Sequence, residues 1–223
     1  MRVSTWLVVG ILVLAWVFIK VLPKLLVRMV GRFALKKVGE AAIANVPEEI
    51  RYVRASAPHW RDEATMQAQA GQLIEAGFND QGTYHVDTMA GVLIRVLFQP
   101  LTYVTAQICE HPRGGRWTEL ATRYKDDSSD YLSTLPDQGV AAPPFARSSR
   151  ADKNTPADHL YQQHLAQRKA GGIKAVAPGE AIHEIEDAYL RYMVWKNNKG
   201  LTAEEVAHVA AKWARAKGHA AGH

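Results

Sequence analysis

Acidic side chains are missing from the first 39 positions, no charge of either sign interrupts the run from Val3 to Ile19, and the whole chain has one cysteine. The single Cys109 cannot close an internal disulfide, which excludes a disulfide-stapled secreted domain and agrees with a reducing compartment. Also missing is a small-x-small cleavage triplet after the apolar run. The next stretch of chain, KVLPKLLVRMVGRFALKK, is bulky and basic, and the triplet Ala42-Ile43-Ala44 comes too far downstream. The expectation is therefore a retained anchor rather than a cleaved secretory leader. Internal repeats and long low-complexity tracts are lacking too, which argues against solenoids and arrays.

The opening segment itself predicts an anchor. The 17 positions from Val3 to Ile19 span about 25 Å as a helix, close to a bilayer core of about 30 Å. Lys20 can snorkel, adding Val21 and Leu22, and Trp6 and Trp16 suit the interface. Arg2 alone precedes the run, whereas Lys20, Lys24, Arg28, Arg32, Lys36 and Lys37 come after it. The positive-inside rule then places the body on the cytoplasmic side of an inner (plasma) membrane, crossed once. Those six basic residues form the expected membrane interface. Leu22, Leu25, Leu26, Met29, Val30 and Phe33 share the other helical face, as in a juxtamembrane helix resting on anionic headgroups.

The formal charge of +5 belongs to this segment. Seven of the 27 basic residues lie in positions 1–39, which leaves 20 against 22 acids in the body, a net charge of −2. A nucleic-acid-binding domain would carry a basic patch of its own, so DNA and RNA are not expected partners.

The body reads as α+β. After a connector over 40–57, Ser56 is expected to cap a helix running to about Ala76, with Gly77 as its stop. YHVDT, VLIRVLF, LTYVTAQICE, RWTELATRY and DYLSTL then read as five strands, rich in β-branched and aromatic residues. The links between them are short enough to require antiparallel neighbours, so the expectation is one helix on a five-stranded antiparallel meander, together spanning 58–136. Residues 137–154 read as a Pro, Gly and Ser-rich loop. C-terminal helices come next over 155–217, with Thr155 as a cap, a second helix over about 179–197, and a last one opened by a Thr202/Glu205 capping box. Residues 218–223 read as a disordered tail.

Candidate chemistry is sparse. HEIED puts His183 and Asp187 on one helix face, but a zinc-protease helix needs HExxH, and an Asp187 to Arg191 pair is the plainer expectation. Cys109 and His111 alternate on one strand face beside Glu110, without an evident oxyanion hole. His159 and His164 point about 140° apart on a helix. HPRGGR and KDDSSD read as turns rather than as phosphate or calcium loops. No catalytic residue, metal ligand or cofactor is therefore assigned. The surface to suspect is the mixed face of the meander, with Tyr103, Thr105, Gln107, Trp117 and Arg123 as the candidate binding patch. The competing expectation is that the C-terminal helices bury that face.

The resulting expectation is a membrane-tethered, cytoplasmic, non-catalytic binding or scaffold protein. Its expected partners are a bilayer with anionic headgroups and a membrane protein. The alternative is a lipid or small-ligand-binding domain with a pocket between sheet and helices, and a hydrolase or metalloenzyme is the remote one.

Overall fold

The structure is a computed structural model that describes residues 47–112, 115–136, 141–199, 202 and 205. Residues Pro47–Gly200 form one compact unit. Its centre is a seven-stranded sheet in sequence order, β1 (Tyr52–Arg54), β2 (Asn79–Val86), β3 (Met89–Gln99), β4 (Val104–His111), β5 (Gly115–Arg123), β6 (Ser129–Ser133) and β7 (Ala146–Arg150). Neighbours from β1 to β6 pair antiparallel, whereas β6 and β7 pair parallel.

This corrects the expected fold class. The expected strands fall on β2 to β6, although YHVDT covers only the last three residues of β2, and two more strands flank them in a mixed sheet. β1 lies in the expected connector and has three residues, too few for any periodicity to register. β7, sequence ARSSR, lies in the expected loop and has neither β-branched nor aromatic residues. It forms because the crossover from Ser133 to Ala146 is long enough to bring the chain back parallel to β6, where backbone pairing does not depend on side-chain type. The expected transmembrane helix is corrected too. Among the described residues no helix is long and apolar enough to cross a membrane. The Val3–Ile19 run, the basic set from Lys20 to Lys37, the body of the last expected helix and the tail all fall outside the described residues.

Three helices sandwich the sheet: α1 (Glu63–Glu75), α2 (Ala157–Gln167) and α3 (Ala181–Lys199). On one face Leu97, Val104, Ala106, Ile108, Leu120 and Leu132 meet Met66, Ala70 and Leu73 of α1 and Leu160 and Tyr161 of α2. Phe78 stands edge-on to Tyr161 with ring centroids 4.9 Å apart. On the opposite face Val86, Val92, Ile94, Val96 and Cys109 meet Ile182, Ile185 and Tyr189 of α3. β3 is therefore apolar on both faces along much of its length, as expected for a strand enclosed between layers, whereas β4 is apolar on the α1/α2 side and mixed on the other.

Helix ends moved from their expected places for local reasons. Asp62, not Ser56, opens α1, its carboxylate accepting from the Thr65 N–H at 3.1 Å. Gly77 ends that helix at φ +89°, a conformation that favours glycine. Helix α2 starts at Ala157 after Pro156 and has no side-chain cap of its own. Its first N–H donates instead to Gln72 Oε1 of α1, 2.8 Å away. Helix α3 comes directly after a 3-10 turn at Pro178–Glu180. Thr202 and Glu205 do form the reciprocal cap, with the Thr202 N–H donating to Glu205 Oε2 at 3.0 Å and the Glu205 N–H to Thr202 Oγ1 at 3.2 Å.

Candidate functional site

Strand alternation decides which side chains meet. In β4, Val104, Ala106 and Ile108 enter the α1/α2 core, so Thr105, Gln107 and Cys109 face α3. Trp117, Glu119 and Arg123 of β5 lie on that same side through the pairings Cys109↔Trp117 and Gln107↔Glu119. Tyr103 joins them by packing on Phe98, Val176 and Ala181. The five patch residues thus share one face but not one environment. Trp117 and Cys109 lie in the cluster that holds Ile182, Ile185 and Tyr189 of α3.

Beyond α3's apolar stripe the face becomes polar. Gln107, Glu119, Ser133 and Arg150 stand opposite one another on β4, β5, β6 and β7 and form one row across the sheet. The Tyr52 hydroxyl donates to Gln107 Oε1 at 2.8 Å and fixes its amide. Arg123 donates to Ser129 Oγ and, at 2.6 Å, to the Tyr131 hydroxyl, with its guanidinium 5.3 Å from the Tyr131 ring centre. Its other nitrogen reaches the Glu184 carbonyl of α3 at 3.5 Å. Lys174 closes this side through a 2.5 Å pair with Glu184. Ser148 and Arg150 on β7 remain exposed.

Glu119 is the electrostatic centre of the row. Burial pushes its carboxyl above the ordinary glutamate range, while Arg150, Arg123 and a hydrogen bond from Ser133 pull the other way. Burial, reinforced by Glu119, also pushes the Cys109 thiol well up. A thiol so placed resists ionisation, opposite to what a nucleophilic cysteine needs. Tyr52 is raised as well, by burial first and then by Cys109, Glu119 and Glu186.

A second polar network lies on the α2 side, and sequence reasoning missed it. His164 is buried at 2% exposure and shares a 2.8 Å hydrogen bond with Thr122 Oγ1. Burial, then the positive Arg168 nearby, lower its pKa to about 4. Arg168 binds the Thr102 carbonyl at 2.7 Å. Asp130 of β6 accepts from Arg147 of β7 at 2.9 and 2.6 Å, from the Tyr124 hydroxyl at 2.6 Å and from the Lys169 N–H at 2.9 Å. Burial alone would raise Asp130, but these donors outweigh it and hold it below the usual aspartate value. No local signal marks these residues, because Thr122 and His164 are 42 positions apart.

The remaining candidates separate. His183 is exposed, 3.7 Å from Asp187 and 3.9 Å from Glu186. Glu186 is held by the Tyr52 N–H at 2.7 Å, and Arg191 pairs with Asp127 at 3.1 Å, not with Asp187 as the helix spacing predicts. Among the described residues no group of three or more His, Cys, Asp or Glu side chains is arranged to hold a metal. His159 is exposed whereas His164 is not. The KDDSSD stretch is a turn in which Asp126 accepts from the Ser128 N–H at 3.0 Å and Asp127 takes φ +60°. A separate shallow cleft of roughly 400 Å³ lies along α3, lined by Pro47, Glu48, Glu49, Thr88, Leu190, Met193, Val194 and Asn197.

No protein-family description, no curated protein and no solved structure matches this chain.

Proposed function

We propose that the chain is a non-catalytic binding or scaffold module, held at the cytoplasmic side of a membrane by its basic N-terminal segment, with the exposed β7 end of the polar row as its partner-facing surface. The observation that carries this is the open end of that row, where Arg150 and Ser148 on β7 are exposed and Arg123 and Tyr131 are half-buried beside them, held from beneath by the buried Gln107 and Ser133. Polar side chains prepositioned by hydrogen bonds on a rigid sheet lose little entropy when a partner docks. The charge distribution supports the rest, since residues 1–39 carry the basic excess and the body carries none. Anionic headgroups would attract that segment and so raise the local concentration of the domain near membrane-bound partners.

The test is brief crosslinking in cells, then affinity purification from membranes in mild detergent, with residues 1–39 alone as control bait. A stoichiometric membrane protein captured by the full chain, and lost with Arg150→Glu, is the expected result. Capture of the same protein by the control bait, or of nothing by the full chain, would overturn the scaffold reading.

A small anionic ligand or lipid headgroup is the second reading, favoured by the guanidinium groups of Arg123 and Arg150 on either side of the Glu119 carboxyl, whose pKa burial raises. Native mass spectrometry of the full chain separates the two, a retained extra mass supporting the ligand. Hydrolysis at Cys109 gains no support from a buried, raised thiol.

A further inference from the structure

The cleft along α3 joins two features that a surface helix rarely combines. Leu190 and Val194, one turn apart, are 40% and 53% exposed, although Met193 between them is buried. With Met193 and Pro47 they make an apolar floor, and the only charged side chains among the lining residues are Glu48 and Glu49. The cleft runs over the last turns of α3, where Lys196 and Lys199 offset the negative end of the helix dipole, so the acidic character of the cleft comes from Glu48 and Glu49. Asp187 lies on the same stripe, one turn before Leu190, and adds a further carboxylate.

We propose that this cleft is a docking groove for an amphipathic helix with a basic polar face. Two exposed aliphatic side chains at i, i+4 spacing offer the ridge against which a partner helix sets its own i, i+4 aliphatics. The carboxylates select the sign of the charge flanking that apolar stripe, steering a basic helix in and repelling an acidic one. An apolar floor whose charged lining residues are both acidic also distinguishes a recognition groove from scattered surface hydrophobics. This surface lies apart from the polar row, so it stands or falls separately from the scaffold reading.

The test uses the full chain in a zwitterionic detergent and two labelled 16-residue helical peptides of identical Leu pattern, one with Lys and the other with Glu at its polar positions. Saturable anisotropy binding of the Lys peptide, with the Glu peptide weaker by about tenfold or more, is expected. Leu190→Ser/Val194→Ser should weaken the Lys peptide by about tenfold, and Glu48→Lys/Glu49→Lys should reverse the preference. These four positions are exposed, so an unchanged melting temperature will show that the variants fold. Equal binding of both peptides, indifference to all four substitutions, or no saturable binding would overturn the proposal. Concentration-dependent dimerisation abolished by the Ser pair, without peptide binding, would overturn it in favour of a second copy of the chain.

Discussion

Burial drives Glu119 and His164 in opposite directions, because in each it penalises the charged form. For Glu119 the folded value lies above the unfolded one. Its contribution is fully present at low pH, where the carboxyl is protonated in both states, and is lost as pH rises through the folded value. Glu119→Gln keeps the shape and removes the charge. It should melt higher than the wild-type chain at neutral pH, with the gap closing as the pH drops below the ordinary glutamate range. Thermal melts at pH 4 and pH 7 check this, and an equal gap at both would mean that Glu119 is not desolvated. Nothing in the sequence identifies this residue. RWTELATRY shows that Glu119 and Arg123 share a strand face, but not that Arg150 arrives on β7 from 31 positions away to stand in the same row.

At the scale of elements, Asp130 joins three of them. Its carboxylate ties β6 to β7 through Arg147 and to the residue after the α2 C-terminus through the Lys169 N–H. Asp130→Ala removes a shared acceptor, but Arg147 is more than half exposed and keeps the Gln167 carbonyl and the Lys169 N–H keeps the Tyr124 hydroxyl, so the cost is about 2 kcal/mol. Urea midpoints should register the loss. Hydrogen exchange should show the amides of β7 losing protection before those of β4, and a uniform loss would remove the special link to β7. The same scale explains what could be read beforehand. β3 and β4 were legible because VLIRVLF and LTYVTAQICE carry a dense β-branched and aromatic signal, whereas the polar first half of β2, NDQGT, gave none. β1 and β7 exist through backbone pairing at the two edges, which composition does not encode. The face shared by Thr105, Gln107, Trp117 and Arg123 was legible from a period of two. Which half of it α3 covers was not, since that depends on the path from Gly172 through Pro178.

For the molecule as a whole, His164 sets an acid limit on stability. Its pKa is lowered to about 4 in the fold, against about 6.5 in an unfolded chain. The neutral ring faces Thr122 and lies among Arg168, Arg147 and Asp130. Its contribution is complete above pH 6.5 and is lost as pH falls toward 4, because the unfolded chain binds a proton that the folded chain excludes. The loss over that window should approach about 3 kcal/mol. Urea titrations of His164→Gln should show a flatter decline between pH 6.5 and 4 than the wild type, and parallel declines would assign the acid sensitivity elsewhere. Asp130 acts in a lower window, because its folded value lies below the ordinary one. The fold also bears on the order of assembly. The first N–H of α2 is satisfied by Gln72, a residue synthesised 85 positions earlier. As the chain emerges from a ribosome, α1 is therefore already available when α2 begins to wind, and the acceptor waits for its donor. Assembly in order of synthesis lets that N–H exchange its water partner for Gln72 as soon as α2 winds, an order that refolding from denaturant, where both helices start together, does not impose.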